Sequence, residues 1–582
     1  MEAQLISESV ANDARHSTAY YFLEGLNEIG IEYLFCNLGT DHAPIIEEMA
    51  AWQAEGRKMP SVILCPHENT AVHMAGGYAL LTGRGQGVLV HVDAGTANAA
   101  MGLHNLLRTR LPVLLMAGTA PFTSFGELTG SRDTYVHFVQ QPNDQGSLVR
   151  PYVKWEYTLP SGVIAKQVLR RASSIMESEP KGPAYLMLPR EVLADEWKES
   201  EVHSYPAERF GTTSPAGADP DLIAELSVRL LAAENPILIT QYAGRDPEAS
   251  AIIAELAAFA GIRVIDYLSV NNISWTFPGF GGFQPTELEK VDVGLLVDVE
   301  VPWLPSVYKD NPGTYWAQID VDVLKPASPM WPFPANLRLE GRSARILAQL
   351  LNALRKRATP KFKFEATKRF AALKEAQHAR EQGFAKLAAD PGSQNLINPH
   401  YICAALGEFL EEDDLVINEA VTRQSVPAMQ IRRPLSGTMI SNPGGGLGAS
   451  GGLALGVKLA RRDNAVVQIV GDGTFYFNNP SAVFAVSKQY GLPIFTIVLD
   501  NAGWSAVKQS VQRVYPDGIA NAHDSFQAIL ASEMDFTKVV EAAGGYGERL
   551  TDPAQTKAAI ARCLAAVRGG RSALLHACTN KL

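Results

Sequence analysis

The chain has 582 residues, 46% apolar and 19% charged, which gives about three domains with large buried cores and excludes a disordered polymer. Its formal charge of −10 and lack of a basic tail weigh against nucleic acid as a partner. The N-terminus, MEAQLISESVANDARHS, has no signal-peptide pattern, and no apolar run is long enough to span a bilayer, so no membrane segment is expected.

Residues 1–15 read as a polar arm. From His16 helix and strand alternate: a helix to about Ile29, a strand at Tyr33–Asn37, a helix from His42, a strand at Ser61–Pro66 and a helix at Asn69–Leu81. A strand at Gly87–Val92, a helix at Asn98–Arg108 and a strand at Pro112–Ala117 continue the pattern, which predicts a parallel sheet covered on both faces. Thr119–Tyr152 is too long and irregular for an ordinary connector, so it is expected to be functional. A helix at Ile164–Glu177 and a strand at Ala184–Leu188 close a first domain, 1–190.

Residues 191–218, polar and proline-bearing, read as a linker. A central α/β domain, 219–354, is predicted from helices at Leu222–Ala233 and Ser250–Phe259. Its strands are Pro236–Gln241, Arg263–Asp266, Val293–Asp298 and Thr314–Asp320. A basic stretch of helical spacing, 355–392, reads as a solvated connecting helix within a linker at 355–397, and a third domain occupies 398–582. The fold class is therefore α/β, three doubly wound parallel-sheet domains. Cys36, Cys65, Cys403, Cys563 and Cys578 show neither metal spacing nor a disulfide framework, which points to a reducing, cytoplasmic setting. Cys36 and Cys65 end strands and read as small core residues.

The third domain carries the chemistry. Ala465–Val470 and Pro493–Leu499 are apolar, β-branched runs separated by a helical pattern at Ser481–Tyr490, a βαβ unit. Asp472 follows the first strand and Asn501 the second. If these strands are neighbours, both side chains project at the carboxyl edge, where such folds bind ligands. A carboxylate, an amide oxygen and a nearby carbonyl are hard ligands suited to Mg²⁺ or Ca²⁺ with a phosphorylated partner. Gly473 lets a diphosphate approach the backbone, and the following helix offers its first N–H groups.

An internal repeat links the ends of the chain. GGYALLTGRGQGVLVHVDAGT (76–96) parallels GGLALGVKLARRDNAVVQIVGDGT (451–474), and LPVLLMAG (111–118) parallels LPIFTIVLDN (492–501). The first and third domains are thus expected to be one fold used twice. Ala94 stands where Asp472 stands, so the first copy lacks the metal ligand.

Gly471-Asp472-Gly473, the twenty-six residues 474–499, then Asp500-Asn501 resemble the diphosphate and metal motif of thiamine diphosphate enzymes. That motif usually ends Asn-Asn, so Asp500 departs from it. The resemblance spans nearly the whole chain and is to the decarboxylase and acetolactate synthase group, with a pyrimidine-binding domain, a central domain and a diphosphate-binding domain. It implies metal ligands Asp472, Asn501 and the Gly503 carbonyl, with Gly471, Gly473 and Thr474 at the diphosphate. In Cys65-Pro66-His67-Glu68-Asn69 it implies Glu68 as the carboxyl group that shares a proton with the pyrimidine nitrogen and so activates the cofactor; His67 is expected to support that turn. In Asn442-Pro443-Gly444-Gly445-Gly446-Leu447-Gly448 it implies Leu447 beneath the cofactor and the Gly445 carbonyl as acceptor for the aminopyrimidine. Residues 446–451 also match G-x-G-x-x-G, but an NAD site wants an isolated acid ending the next strand, and here the acid lies within Gly-Asp-Gly.

Around the reacting carbon, His91 aligns with a strand-end histidine that benzoylformate decarboxylase-like members use for proton transfer. Gln145 matches a glutamine near the substrate of acetolactate synthases, and His42 lies in a loop that lines the family's cavity. For each of the three, substrate contact and a structural hydrogen-bonding role stand as alternatives. Arg432 and Arg433 are expected to coat a loop, and Trp504–Ala520 departs from the acetolactate synthase pattern. The resemblance implies a thiamine diphosphate- and Mg²⁺-dependent carboligase or lyase acting on small 2-oxo acids. The alternatives are a 2-oxo acid decarboxylase using His91, a 2-hydroxyacyl-CoA lyase, or a non-catalytic regulatory relative. FAD occurs in some relatives, and nothing in this sequence demands it. The family's sites lie between chains, which implies a homodimer or a dimer of dimers.

Overall fold

The computed structural model describes residues 14–530 and 534–579; all but the last two residues of the expected N-terminal arm lie outside them. Three six-stranded parallel sheets form its frame. The first contains β1 (Tyr33–Asn37), β2 (Ser61–Leu64), β3 (Gln86–Val90), β4 (Val113–Thr119), β5 (Glu156–Thr158) and β6 (Ala184–Pro189), in the order β2-β1-β3-β4-β6-β5. The second contains β7 (Ile237–Thr240), β8 (Arg263–Asp266), β9 (Phe280–Gly282), β10 (Val293–Val297), β11 (Tyr315–Asp320) and β12 (Leu337–Glu340), in the order β9-β8-β7-β10-β11-β12. The third contains β13 (Leu415–Glu419), β14 (Met439–Ser441), β15 (Val466–Gly471), β16 (Phe495–Asp500), β17 (Tyr546–Leu550) and β18 (Ala573–Cys578), in the order β14-β13-β15-β16-β18-β17.

The first and third sheets have the same strand order, so the repeat in the sequence is a repeat of topology. Central strands such as β4 and β10 are almost wholly apolar because helices cover both faces and leave no polar side. Seven sheet strands lie beyond the sequence reading: β5, β9, β12, β13, β14, β17 and β18. Five of them sit at sheet edges, where burial imposes little pattern on the residues, whereas β13 and β18 are interior strands of the third sheet.

Eight helices matter for function: α1 (Glu68–Thr82), α2 (Ala94–Thr109), α3 (Pro360–Leu387), α4 (Pro399–Gly407), α5 (Ser425–Gln430), α6 (Ser450–Ala460), α7 (Asp472–Phe477) and α8 (Pro480–Tyr490). α2 begins four residues earlier than the sequence predicts, because Asp93 at φ 53° turns the chain directly off β3 into the helix. The basic helix is also shorter than its pattern. Pro360 stands at its first position, and the Thr359 side chain caps it by accepting from the Phe362 N–H, so a new helix starts there. Within 191–218 a short strand, Glu196–Lys198, pairs antiparallel with Arg15–Ser17.

The chain forms two compact bodies. The first gathers the residues up to 213 with 443–461 and 478–492, and so holds the first sheet and α1, α2, α6 and α8. There α1 packs against α6, the two helices that carry the repeated Gly-Gly pairs. A Cβ on Gly77 would overlap the Leu453 carbonyl, and one on Gly456 would overlap the Met74 carbonyl oxygen. The second body holds the other two sheets with α3, α4, α5 and α7. Its core is continuous from Leu238 and Leu295 through Leu350 and Ile402 to Val467 and Leu575. Arg433 is buried here and does not coat a loop. It donates to the carbonyls of Glu412 (2.6 Å) and Asp414 (2.5 Å) and to Thr438 Oγ1 (3.0 Å), so its guanidinium fork ties a turn to the start of β14. All five cysteines are free and buried, Cys36 and Cys65 among the core residues as expected.

Candidate active site

In the first body Glu68 opens α1. His67 is the N-cap, its Nδ1 accepting from the Asn69 N–H at 3.1 Å, so it supports the turn as the sequence predicts. The Glu68 side chain is almost fully buried, and its Oε2 accepts from Asn98 Nδ2 on α2 at 3.1 Å. The same two helices hold the glycine-rich loop that leads into α6. Asn105 Nδ2 donates to the Gly446 carbonyl at 2.8 Å, His104 Nε2 to the Gly444 carbonyl at 2.7 Å, and Asn69 Nδ2 to the Gly448 carbonyl at 3.0 Å. Gly445 (φ 75°) is exposed with nothing near its Cβ direction, and Leu447 is half-buried. Glu68 and the Gly445–Leu447 loop, 377 residues apart in the chain at their nearest, therefore belong to one packed assembly.

His91 follows β3. Its Nδ1 is hydrogen-bonded to Asp41 Oδ1, and its Nε2 donates to Gln140 Oε1 at 2.8 Å. Asp41 is fully buried; its Oδ2 accepts from the Val92 N–H at 3.1 Å and lies 3.4 Å from His42 Nε2. Glycines clear the space for this pair. A Cβ on Gly39 would overlap the His91 ring, and one on Gly118 would overlap the Asp41 carboxylate. The Asp41 bond raises the His91 pKa above the ordinary value, outweighing the effect of burial. Burial would raise Asp41, but the His91 bond and the two histidines beside it bring its carboxyl below the ordinary value. An oxygen thus stands beside each ring nitrogen, Asp41 at Nδ1 and Gln140 at Nε2.

The other two residues are buried and hydrogen-bonded within the protein. His42 is fully buried, accepts from the Gly39 N–H through Nδ1 (3.0 Å), and is pushed toward the neutral form by burial. Gln145 is buried and donates through Nε2 to the Gly118 carbonyl and to Tyr185 Oη, both at 2.8 Å. His91 keeps 19% of its side chain exposed against none for His42, so it is the one with a free edge. Sequence reasoning passed over Asp41, Gln140 and Asn98. Asp41 stood in plain view beside His42, whereas Gln140 lies in an irregular stretch with no periodicity to place it.

In the second body β15 and β16 are neighbours in register, Gly471 opposite Leu499. Asp472, the first residue of α7, and Asn501 thus leave adjoining carboxyl ends. The Gly503 N–H donates to Asn501 Oδ1 at 3.3 Å. Burial, with the charge of Asp500 second, pushes the Asp472 carboxyl up to about 6. Together with the Gly503 carbonyl these residues make an all-oxygen donor set of the kind hard divalent cations take. Asp500 is engaged elsewhere: it accepts from the buried His576 Nε2 at 2.7 Å and from the Ala502 N–H at 2.8 Å. The room that Gly473 leaves by having no Cβ is filled by the Trp504 indole, whereas Gly471 has nothing within 4 Å of its Cβ direction. Thr474 is buried in the first turn of α7.

Both ends of the chain match family models. Residues 16–148 match the thiamine pyrophosphate enzyme N-terminal TPP binding domain, and residues 421–577 the C-terminal TPP binding domain. The chain belongs to the thiamine pyrophosphate-dependent enzymes, in the superfamily of acetolactate synthases and decarboxylases. It is 24% identical over 550 residues to the acetolactate synthase large subunit of Haemophilus influenzae, covering 92% of this chain and 90% of that one. It is 25% identical over 508 residues to the benzoylformate decarboxylase of Pseudomonas aeruginosa, covering 85% and 87%. Among solved structures, the thiamine diphosphate-dependent 4-hydroxybenzoylformate decarboxylase of Rhodococcus jostii RHA1 superposes with a TM-score of 0.76 at 19% identity, over 97% of this chain and all of that one. Benzoylformate decarboxylase from Polynucleobacter necessarius superposes at 0.78 with 16% identity, over 97% and 99%. At these identities the superpositions establish the fold alone.

Proposed function

We propose that this enzyme is a thiamine diphosphate- and Mg²⁺-dependent carboligase or lyase acting on small 2-oxo acids, with acetolactate synthase-like ligation after decarboxylation as the leading reaction. The observation that carries the reading is the buried Glu68 carboxyl group in the same packed assembly as the Gly445–Leu447 loop. Thiamine diphosphate supplies, when bound, a nucleophilic carbon and an electron sink for breaking the bond beside a 2-oxo carbonyl. Glu68 would hold the proton at the pyrimidine nitrogen, the Gly445 carbonyl would accept from the amino group, and Leu447 would pack against the ring system. Asp472, Asn501 and the Gly503 carbonyl would hold Mg²⁺, and Gly471, Gly473 and Thr474 would offer backbone and hydroxyl groups to the diphosphate. The donor chemistry fits: Asp472 is a buried carboxylate beside a second negative charge, an arrangement that a divalent cation stabilises.

A second reading, simple decarboxylation, is favoured by the His91–Asp41–Gln140 arrangement: Asp41 raises the pKa of a partly exposed imidazole, and exchange of its Nε2 contact from Gln140 to substrate would let that nitrogen deliver a proton to a developing carbanion. The working form in this reading is a homodimer or a dimer of dimers in the cytoplasm. Among the described residues no helix is long and apolar enough to cross a membrane.

Incubation with thiamine diphosphate, Mg²⁺ and a panel of aliphatic and aromatic 2-oxo acids, following CO₂, aldehydes and hydroxyketone or acetohydroxy acid products, tests the reading. Ligation products identify a carboligase, and aldehyde with stoichiometric CO₂ identifies a decarboxylase. Silence across the panel rejects both and turns attention to 2-hydroxyacyl-CoA cleavage.

A further inference from the structure

The second body contains a cavity of about 490 Å³, within the range of small-molecule sites, which none of the residues named above for the cofactor lines. It lies where the end of β9, α3, α4 and α5 meet. One part of its lining is aromatic. The Phe283 ring stands 4.9 Å from Trp275 at 85°, 5.5 Å from Phe280, and is stacked on Phe384 at 6.3 Å. Trp275 is fixed in this cluster because its Nε1 donates to the buried Asp266 at 2.7 Å. Much of the remaining lining is alanine, including Ala404 on α4 and Ala428 on α5. Side chains this short leave open a slot between helices that larger ones would close.

The charges at this cavity do not cancel. Lys557 is paired with both oxygens of Glu408, at 2.6 and 2.9 Å. Arg380 spends its guanidinium on the carbonyls of Phe280 and Gly281, beside Glu381. Arg432 is exposed and, among the described residues, has no hydrogen-bond or ion-pair partner. An aromatic slot with one uncompensated guanidinium has the chemistry to receive a flat apolar body with a single negative group. We infer that this cavity is a binding site for an aromatic carboxylate, separate from the proposed thiamine diphosphate site and independent of which reaction that site performs.

The probe is 2-naphthoate, a non-reactive aromatic carboxylate, titrated into the full chain saturated with thiamine diphosphate and Mg²⁺ and followed by calorimetry and tryptophan fluorescence. The neutral isostere 2-naphthalenemethanol serves as control. Saturable binding of about one 2-naphthoate per chain is expected. Filling the slot with Ala428→Phe should abolish it. Arg432→Gln should weaken naphthoate at least about tenfold, the usual scale of a charge-assisted pair, while leaving the alcohol unchanged. Ala404→Leu provides a second block should Ala428→Phe fail to fold, with thermal midpoints reporting integrity. Absence of saturable binding overturns the site, as does naphthoate binding that the folded blocking variants leave intact. Acid and alcohol affected alike by Arg432→Gln, or neither affected, overturns the anionic assignment.

Discussion

At the scale of single residues, the proposal stands on proton positions. Glu68 is buried at the start of α1 with one neutral donor, Asn98, on its carboxyl group. Glu68→Gln keeps the shape and removes the exchangeable proton. Turnover is expected to fall by roughly 10²-fold or more, the usual worth of a placed acid or base, with cofactor affinity altered only modestly. Hydrogen–deuterium exchange at the cofactor's C2, measured by NMR after acid quench, should slow in parallel; exchange at the wild-type rate would remove Glu68 from this role. His91 gives a pH signature. Its hydrogen bond to Asp41 raises its folded pKa above the ordinary value. The stabilisation from that pair is thus fully present below about 6.5, the unfolded value, and is lost as pH rises through the higher folded one. Asp41→Asn removes the charge that favours the imidazolium. The His91 titration, read by NMR of histidine-labelled enzyme, should move to lower pH, and the basic limb of kcat/KM should move with it. A shifted titration with an unmoved limb would show that His91 does not protonate the reacting species.

At the scale of elements, α1 and α6 approach so closely that glycine is required at the contact. Gly456 illustrates a conflict between local and tertiary preference. By helix propensity alone, alanine is better than glycine by about 1 kcal/mol. A Cβ at this position would overlap the Met74 carbonyl oxygen, a backbone atom that cannot rotate away. Overpacking of this kind costs about 1–3 kcal/mol, so Gly456→Ala should be a net destabilisation, visible as a lower denaturant midpoint with an unchanged slope. A gain in stability would mean that the helices stand further apart. The same contact explains why the repeated Gly-Gly pairs belong to these two helices: each repeat copy supplies one face of a close packing that side chains would prevent.

At the scale of the whole molecule, the proposed dimer is open to complementation. Asp472→Ala should abolish metal-dependent binding of thiamine diphosphate, because it removes the one charged ligand of the proposed set. Mixed with Glu68→Gln and allowed to exchange subunits, half of the dimers are hybrids. If each site takes Glu68 from one chain and Asp472 from the other, each hybrid carries one unaltered site, so about a quarter of wild-type activity should return. Hybrids confirmed by native mass spectrometry but still inactive would show that each chain supplies a complete site of its own.

The sequence by itself determined the α/β class, the repeat, the βαβ unit ending at Asp472 and Asn501, and the placement of Glu68 at a helix start. These are local consequences of burial: strands covered on both faces must be apolar throughout, and polar residues are then confined to their ends. Edge strands such as Phe280–Gly282 were not legible, since an edge imposes no such pattern. The partners of a side chain were not legible either. That Arg433 is a buried strut, that Gln145 and His42 are held by internal hydrogen bonds, that Asp41 takes His91, and that Trp504 fills the space beside Gly473 all depend on atoms brought together from distant segments. Only the tertiary structure decided those, because a hydrogen bond or a van der Waals overlap is set by a few tenths of an ångström of packing, and no residue's own neighbours in the chain encode that distance.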